Sequence, residues 1–223
     1  MCTPKLNRNE LAAMIDQALL RPEETLADLR AACRIAEKYQ VASLCVRPCD
    51  VPTARELLTA GNVAVGTVIA FPHGDSATPV KVCEARRAVT DGADELDMVL
   101  NITRLRSGEL KYVQDEIAAV VQAARGRIVK VILECCYLNR DQMAAACTAA
   151  KKAGAQFVKT STGFGKWGAK AEDVEFLRRQ VGESMGVKAA GGIRTLADAL
   201  GMIRAGASRI GTSRVEAILC ELA

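Results

Sequence analysis

Short apolar segments alternate with longer segments of mixed polarity along the whole chain. The longer segments carry apolar residues at helical spacing, whereas the short ones are typical of strands buried in parallel sheets. The pattern therefore predicts a repeated strand–helix unit. The eight predicted strands are residues 15–20, 41–46, 62–70, 93–100, 127–134, 155–162, 186–192 and 209–213.

Capping residues locate several of the helices between these strands. A Thr or Asn followed three residues later by an acidic residue or Gln is a signal for a helix start. Four such pairs precede predicted helices: Thr25 with Asp28, Thr53 with Glu56, Asn139 with Gln142, and Thr195 with Asp198. The helix predicted for residues 26–39 has an apolar stripe made of Leu26, Leu29, Cys33 and Ala36.

Eight strand–helix units in about 200 residues predict the α/β fold known as the (β/α)₈ or TIM barrel. The rival interpretation is a doubly wound sheet, which usually has a GxGxxG turn after its first strand. The residues from Leu19 to Pro22 do not form such a turn. No linker or composition shift interrupts the chain, so we expect residues 1–223 to form a single barrel domain, with residues 1–14 as a short N-terminal helical extension.

Composition excludes several classes of function. Half of the residues are hydrophobic but only 4% are aromatic, which favours an aliphatic α/β core. The net charge of +4 is small and spread out, so it indicates neither nucleic acid nor a membrane as a partner. Nine cysteines without a CxxC spacing suggest small buried residues in a reducing compartment. Because no apolar run approaches ~18 residues, we expect a cytoplasmic protein.

Charged residues interrupt four consecutive predicted strands, which carry Asp97, Lys130, Lys159 and Lys188. The first two predicted strands contribute Asp16 and Cys45. A single lysine of this kind is most often part of an ordinary salt bridge. In a closed barrel, however, outward positions lie under apolar helices, where a buried charge is unfavourable. The barrel interior is therefore the position of lower free energy for all of these side chains. The set therefore predicts one shared site near the strand ends, where barrel enzymes carry their chemistry.

Crowded ammonium groups and burial both lower the pKa of a lysine, and a neutral amine is the form that attacks a carbonyl group. Lys159 lies near the end of its predicted strand, just before a glycine-rich loop, and Asp97 can accept or pass a proton. This set of residues favours imine and enamine chemistry on an aldehyde or ketone, without a metal or other cofactor. His73, the only histidine, is expected to shape a loop.

Glycine-containing turns follow the last two predicted strands. Gly191 and Gly192 follow the seventh strand, while Gly211 and Ser213 lie at the end of the eighth. Each turn precedes a predicted helix, and helix starts of this kind bind phosphate through backbone N–H groups. Barrel enzymes often bind phosphate at this place, so we expect a phosphorylated substrate.

Taken together, these segments resemble the family of class I deoxyribose-phosphate aldolases, from about Asp16 to Ser213. The most specific matches are residues 65–74, 94–99, 130–134, 158–164 and 187–195. The resemblance implies a TIM barrel that reversibly cleaves 2-deoxy-D-ribose 5-phosphate to acetaldehyde and D-glyceraldehyde 3-phosphate, in deoxyribose phosphate catabolism. It also implies a homodimer or homotetramer.

The resemblance implies a role for each matching residue. Lys159 corresponds to the Schiff-base nucleophile, Lys188 to the ammonium group that lowers its pKa, and Asp97 to the acid/base group. Lys130 corresponds to a lysine that pairs with Asp97. The expected substrate and phosphate contacts are Gly191, Gly192, Gly211, Ser213, Asp16, Cys45 and Thr160.

The chain departs from the family pattern at a few positions around this expected site. Gln17 and Ala18 replace a His-Thr pair, Arg214 stands where a small residue is common, and Trp167 lies in the loop after Lys159. Two alternatives therefore stay open: a lysine-dependent aldolase for another phosphorylated sugar, and a non-catalytic sugar-phosphate-binding protein. The intact lysines and Asp97 argue against the second, because a binding protein does not need crowded lysines.

Overall fold

The computed structural model describes residues 6–222 and shows a closed barrel of eight parallel strands arranged in sequence order. Every predicted strand is confirmed, and each observed strand lies within its predicted range. The strands are β1 (Ile15–Leu19), β2 (Ser43–Val46), β3 (Ala64–Ile69), β4 (Glu95–Val99), β5 (Ile128–Ile132), β6 (Phe157–Lys159), β7 (Gly186–Ala190) and β8 (Arg209–Thr212). The predicted (β/α)₈ barrel is therefore confirmed.

Helices connect the strands and surround the barrel. They are α1 (Arg8–Ala12), α2 (Leu26–Tyr39), α3 (Val51–Leu57), α4 (Thr78–Thr90), α5 (Ile102–Arg106), α6 (Leu110–Ala123), α7 (Arg140–Lys152), α8 (Ala171–Val181), α9 (Leu196–Arg204) and α10 (Val215–Cys220). Short 3₁₀ turns occupy Pro48–Asp50 and Cys135–Tyr137. The predicted N-terminal extension contains α1, and residues 1–5 of it lie outside the described residues. None of the described helices is both long and apolar enough to cross a membrane.

Three of the four predicted helix caps are confirmed, since Thr25, Asn139 and Thr195 each form a capping box at the start of α2, α7 and α9. The prediction for Thr53 is wrong. The helix α3 begins at Val51, two residues before Thr53, and has Pro52 in its first turn. Thr53 therefore lies inside the helix. Leu26 also differs from its prediction: it is 56% exposed, and the buried stripe of α2 begins at Leu29.

Alternate residues of each strand face two different environments. Outward residues such as Leu96, Met98 and Val131 belong to the continuous apolar core between the strands and the helices. Inward residues on the same strands include Glu95 and Asp97, which are buried and charged. The barrel interior is therefore polar, and the apolar shell around it provides most of the packing that holds the strands in place.

An ion pair is buried in the apolar shell, between α4 and α6. Lys81 Nζ lies 2.8 Å from Glu116 Oε2, and both side chains are fully buried. The same ammonium group donates to the backbone oxygens of Gly74 at 2.8 Å and Val99 at 2.9 Å. Lys81 therefore uses all three of its hydrogens and ties the loop after β3 to the end of β4.

Candidate active site

The strand register brings the predicted charged residues together. Asp97 is paired with Lys130 between β4 and β5, and Lys159 with Lys188 between β6 and β7. Because all strands are parallel and the barrel is closed, side chains at these positions converge on its axis. Asp97, Lys130, Lys159 and Lys188 are all buried there.

Asp97 lies at the centre of the group and accepts from three lysines. Lys130 donates to its Oδ1 at 2.9 Å, while Lys159 at 2.8 Å and Lys188 at 2.7 Å both donate to Oδ2. The two lysines that the sequence pairs for imine chemistry therefore share a single carboxylate oxygen. Such an arrangement keeps two amines next to each other despite their mutual repulsion.

Asp16 holds the group from the side of β1. Its Oδ1 accepts from Ser43 at 2.7 Å and Arg209 at 2.6 Å. Its Oδ2 lies 2.6 Å from Lys188 Nζ and 3.1 Å from Lys130 Nζ, as ionic contacts without hydrogen-bond geometry. The carboxylate thus neutralises several cations at once, and its pKa is lowered, because these cations outweigh the effect of burial.

Two members of the group were not predicted from the sequence. Glu95 contacts Lys130 at 2.5 Å, and the guanidinium group of Arg209 lies 3.4 Å from Glu95. Phe157 lies beside Arg209 and fills the space left by Gly186, where a Cβ would be 2.1 Å from the Phe157 ring. The available signal was strand periodicity, because Glu95 lies two residues before Asp97 and therefore faces the same side.

The two lysines that share Asp97 differ in protonation. Burial lowers the pKa of Lys159, and the neighbouring Lys188 lowers it further against the opposing effect of Asp97. Burial alone would also lower the pKa of Lys188, but Asp16 and Asp97 outweigh it, so this pKa is raised. Lys159 is therefore the amine that loses its proton most readily, and Lys188 stays cationic beside it.

The carboxylate of Asp97 stays ionised. Burial would raise its pKa, but Lys130, Lys159 and Lys188 together lower it well below the usual value for an aspartate. Lys130 has a strongly raised pKa, because its three carboxylate neighbours outweigh burial. Lys130 thus acts as a fixed positive charge that orients Asp97.

A cavity of about 300 Å³ lies above these groups and is lined mainly by loops that follow the strands. Lys159 and Lys188 line it, together with Cys45. Burial raises the pKa of Cys45 to about 11, so its thiol is protonated at neutral pH. The cavity thus offers a ligand one amine with a lowered pKa, one ammonium group and a protonated thiol.

The predicted phosphate contacts line the same cavity. Gly191, Gly192, Gly211 and Ser213 all contribute to its wall. Gly191 and Gly192 have φ of 90° and 81°, which glycine adopts without steric cost. At Gly211 a Cβ would lie 3.2 Å from the Lys188 side chain, so the missing side chain leaves room for that lysine.

Three arginines, Arg21, Arg194 and Arg214, also line the cavity. None of their guanidinium groups forms an ion pair with a carboxylate of residues 6–222. Glu24 also lines the cavity, but the three arginines outnumber it, so the net charge of these four residues is positive and suits an anionic ligand. Arg214 extends the anion-attracting surface beyond the two glycine turns.

The structure does not bring all of the expected substrate contacts to the cavity. Asp16 is fully buried beneath Lys188 and is not part of the cavity wall. Thr160 is also fully buried, and its hydroxyl donates to Ala190 O at 3.3 Å and accepts from Ala190 N at 3.1 Å. Its bonds therefore join the loop after β6 to β7, which leaves the hydroxyl unavailable to a substrate.

The loop after Lys159 is held by a glutamate that the sequence reasoning did not assign. Glu134 has φ of 54°, a left-handed conformation that is unusual for a residue with a side chain. Its carboxylate accepts from the backbone N–H of Thr162 at 3.2 Å and from the Thr162 hydroxyl. Glu134 therefore fixes the start of the loop next to Lys159.

Phe164, rather than Trp167, forms the wall of the cavity in this loop. The Phe164 ring packs edge-on against Phe71 at 5.3 Å between centroids, and the Arg21 guanidinium lies 4.5 Å from its centroid. Trp167 is 44% exposed, lies under Lys170 and does not line the cavity. Trp167 is thus farther from a bound substrate than its sequence position suggested.

The end of the loop lies against the turn that contains Gly191. Ala169 N donates to Gly191 O at 3.0 Å, and a Cβ at Gly168 would lie 2.1 Å from the same oxygen. Only glycine fits at residue 168 with this backbone contact. The loop that carries Phe164 and the turn formed by Gly191 are therefore in direct backbone contact.

Within residues 6–222 no group of three or more His, Cys, Asp or Glu side chains has an arrangement suited to a metal ion. The carboxylates of the barrel are each occupied by lysine or arginine. The cationic side chains that line the cavity, among them Lys188 and Arg214, suit the anionic groups of a ligand.

Sequence comparison assigns the chain to a group of known enzymes. The model of a family described as DeoC/LacD family aldolase matches residues 8–218. A deoxyribose-phosphate aldolase of Thermococcus kodakarensis is 52% identical over 212 residues, which cover 93% of this chain and 95% of that protein.

Solved structures show the same relationship. The chain is similar to a putative deoxyribose-phosphate aldolase from Coccidioides immitis, with a TM-score of 0.95, 40% identity, and coverage of 99% of this chain and 88% of that one. It is also similar to a deoxyribose phosphate aldolase from Aeropyrum pernix described as a unique tetramer. That comparison has a TM-score of 0.90, 34% identity, and coverage of 96% of this chain and 91% of that one.

Proposed function

Because the chain belongs to the DeoC/LacD family of aldolases, we propose that it cleaves 2-deoxy-D-ribose 5-phosphate reversibly to acetaldehyde and D-glyceraldehyde 3-phosphate. The observation that carries the proposal is the position of Lys159. Lys159 is only 3% exposed, and its amine makes a single hydrogen bond, to Asp97. The residue lines a cavity whose wall also contains two glycine turns suited to phosphate.

The first chemical step is imine formation at Lys159. The free amine attacks C1 of the open-chain aldehyde, and the hydroxyl of the resulting carbinolamine leaves as water to give an iminium ion. Lys188 is cationic and lies beside Lys159, so it supplies the proton for the departing hydroxyl. Asp97 stabilises the positive iminium nitrogen, because its Oδ2 is already in contact with Lys159 Nζ.

Carbon–carbon cleavage follows from the iminium ion. The proton of the C3 hydroxyl leaves toward the Asp97–Lys188 pair, the C2–C3 bond breaks, and its electron pair moves toward the nitrogen to form an enamine. D-Glyceraldehyde 3-phosphate, which carries the phosphate group of the substrate, is released. The Asp97–Lys188 pair then returns a proton to C2 of the enamine, and water hydrolyses the resulting iminium ion to acetaldehyde and free Lys159.

The phosphate end of the substrate is held by the glycine turns in the cavity wall. We expect backbone groups at Gly191 and Gly192, with Ser213 at the next turn, to bind the phosphate, because these residues line the cavity and Arg214 adds positive charge there. Binding energy at this nonreacting end positions the aldehyde carbon over Lys159. In this proposal Lys159, Lys188 and Asp97 are catalytic, and Lys130 orients Asp97.

Trapping with borohydride tests the mechanism. The protein is incubated with acetaldehyde, reduced with sodium borohydride, digested and mapped by mass spectrometry, with Lys159→Met as the matched control. We expect a reduced two-carbon adduct on the peptide that contains Lys159, and no adduct in the control at that position. An adduct confined to other lysines contradicts the assignment.

A substrate panel tests the choice of sugar. We expect cleavage of 2-deoxy-D-ribose 5-phosphate, measured as acetaldehyde release, and weaker cleavage of unphosphorylated 2-deoxyribose. Activity on a ketose phosphate without activity on 2-deoxy-D-ribose 5-phosphate would favour the alternative of an aldolase for another sugar. Imine trapping without cleavage of any phosphosugar would favour a binding protein.

The proposal includes assembly and setting. A homodimer or homotetramer is supported by the tetrameric relative from Aeropyrum pernix, and size-exclusion chromatography with light scattering tests it. A cytoplasmic role in the breakdown of deoxyribose phosphate is supported by the eight described cysteines, which are all free thiols.

A further inference from the structure

Seven buried or largely buried charged groups form one connected cluster along the axis of the barrel. Its members are Asp16, Glu95, Asp97, Lys130, Lys159, Lys188 and Arg209. Six strands, β1 and β4 to β8, each contribute at least one charged side chain to the cluster. The strand β2 contributes the thiol of Cys45. The β3 strand, Ala64–Ile69, adds no ionisable group.

The cluster contains three carboxylates and four cationic side chains. The thiol of Cys45 stays neutral, because burial raises its pKa to about 11. With every other group ionised, the cluster carries one excess positive charge, and with one lysine neutral the charges balance. An unbalanced charge is costly in a buried environment, so the cluster favours the loss of one proton.

The contacts show which lysine loses that proton. Lys130 contacts three carboxylates and Lys188 contacts two, whereas Lys159 contacts only Asp97. The ammonium form is stabilised least at Lys159, which also lines the cavity. The excess of one cation is therefore relieved at the residue that the reaction uses.

Arg209 supplies the fourth cation from the amino end of the barrel. It begins β8, donates to Asp16 at 2.6 Å and lies 3.4 Å from Glu95. A guanidinium group does not lose its proton in proteins, so this charge is permanent. Its side chain does not line the cavity, and therefore any effect on the reaction passes through its neighbours.

We infer that Arg209 is a positioning residue for catalysis, whose permanent charge at the amino end of the barrel keeps the Lys159 amine free at the carboxyl end. The path runs through two carboxylates: Arg209 contacts Asp16, Asp16 contacts Lys188, and Lys188 shares Asp97 with Lys159. Glu95 has the opposite effect, because it adds negative charge next to Arg209 and Lys130. The inference rests on the proposed imine chemistry of Lys159.

Charge-removing variants of the two residues test the inference by opposite shifts. Arg209→Met leaves the cluster too negative unless Lys159 keeps its proton, so the acid limb of the pH–rate profile moves to higher pH. Glu95→Gln leaves it too positive, so the limb moves to lower pH. We expect each shift to be about one pH unit, the effect of a unit charge ~10 Å away at an effective dielectric constant of ~20.

The double variant and a conservative variant provide the controls. Arg209→Met combined with Glu95→Gln restores the balance of charges, so its acid limb returns close to that of the unaltered protein. Arg209→Lys keeps the charge and leaves the limb in place. Shifts of both single variants in the same direction, or an equal loss of rate at every pH, overturn the inference and indicate a purely structural role.

A direct measure of Lys159 separates this inference from the proposed function. The rate of reductive methylation of Lys159 by formaldehyde and cyanoborohydride is followed against pH by peptide mass mapping. Opposite shifts in labelling without cleavage of 2-deoxy-D-ribose 5-phosphate support the inference and reject the substrate. Cleavage with labelling profiles that do not move rejects the inference alone. If Arg209→Met does not fold, the shift of Glu95→Gln to lower pH decides the outcome.

Discussion

Lys81 and Lys159 are two buried lysines that share the properties often used to recognise a catalytic amine. Lys81 is fully buried and Lys159 is 3% exposed. Each contacts one carboxylate at 2.8 Å, and burial lowers the pKa of both. By burial, by carboxylate partner and by direction of the pKa shift, the two are nearly indistinguishable.

The difference lies in the remaining hydrogens and in the neighbours. Lys81 donates to Glu116 and to two backbone oxygens, so its ammonium group is fully satisfied inside the apolar shell. Lys159 makes one hydrogen bond, has the Lys188 ammonium group beside it and faces a cavity. A lowered pKa therefore indicates a reactive lysine only when the amine also has unused bonding capacity and room for a substrate.

The largest effect that this comparison predicts is that of Lys159→Met. Without the nucleophile we expect a loss of cleavage rate of about 10⁴-fold or more, measured as acetaldehyde release. Urea unfolding should show little change in stability, because three cations and three carboxylates remain in the cluster when the Lys159 amine is removed. Retention of a large part of the rate would contradict the assignment of Lys159 as the nucleophile.

Lys81→Met should produce the reverse result. The carboxylate of Glu116 loses its cation and stays buried, with the Asn101 N–H as a remaining donor at 3.0 Å. We expect a loss of about 3–5 kcal/mol in the free energy of unfolding, measured with urea. The fraction that remains folded should still form the borohydride-trapped adduct on Lys159.

A double variant serves as the control for Lys81. Replacement of both charges, by Lys81→Met with Glu116→Gln, should recover part of the lost stability, since no carboxylate is then left buried without a cation. Loss of trapping in the folded fraction of Lys81→Met would show that the two lysines are not functionally separate.

Lys188→Leu makes the surroundings of Lys159 more like those of Lys81. Without the neighbouring ammonium group the pKa of Lys159 rises, so less free amine is present at neutral pH. We expect a loss of about 10²-fold in rate at neutral pH, with partial recovery as the pH rises. Recovery stays incomplete because Lys188 also supplies a proton.

The acid limb of the pH–rate profile measures this effect. The reactive form of Lys159 lacks its proton, so the rate of the unaltered protein falls as the pH drops below the lowered pKa of Lys159. In Lys188→Leu this fall begins at higher pH. An unchanged acid limb would show that Lys188 does not set the protonation of Lys159.

The smallest expected effect is that of metal removal. The proposed chemistry uses an amine, an ammonium group and a carboxylate, so no step requires a metal ion as Lewis acid. We expect dialysis against EDTA to leave both the cleavage rate and the yield of trapped Lys159 unchanged. A loss of rate that added Zn²⁺ or Mg²⁺ restores would contradict this mechanism.

The sequence predicts the fold well because each strand is defined by its own local pattern. Apolar runs and helix caps depend on residues within a few positions of each other, so β1 to β8 and the starts of α2, α7 and α9 are readable. The exception at Thr53 has a local cause as well, since Pro52 favours the first turn of α3 and allows the helix to start earlier.

The sequence predicts only those site residues that are visible as a charge within an apolar strand. Lys130, Lys159, Lys188 and Asp97 stand out because charges interrupt apolar strands. Which atoms meet depends on strand register and barrel closure, which sequence periodicity does not contain. For this reason Arg209, at the start of β8, was overlooked.

The positions of three other residues also depend on long-range pairing. Asp16 and Thr160 were expected to contact the substrate, but the first lies beneath Lys188 and the second bonds the backbone of Ala190. Lys81 was not singled out, since its partner Glu116 lies 35 residues away and no local pattern connects them. Long-range pairing is thus the part of the site that only the folded structure supplies.

The backbone contact between Gly168 and Gly191 limits how this protein can be engineered. Variants for larger acceptor aldehydes would be sought in the loop after Lys159, because Phe164 forms the cavity wall there. A library that randomises the entire loop would consist mostly of members with a side chain at Gly168, where a Cβ meets Gly191 O at 2.1 Å. Diversity concentrated at Phe164, with Gly168 held constant, changes the shape of the cavity while the backbone contact with the Gly191 turn is kept.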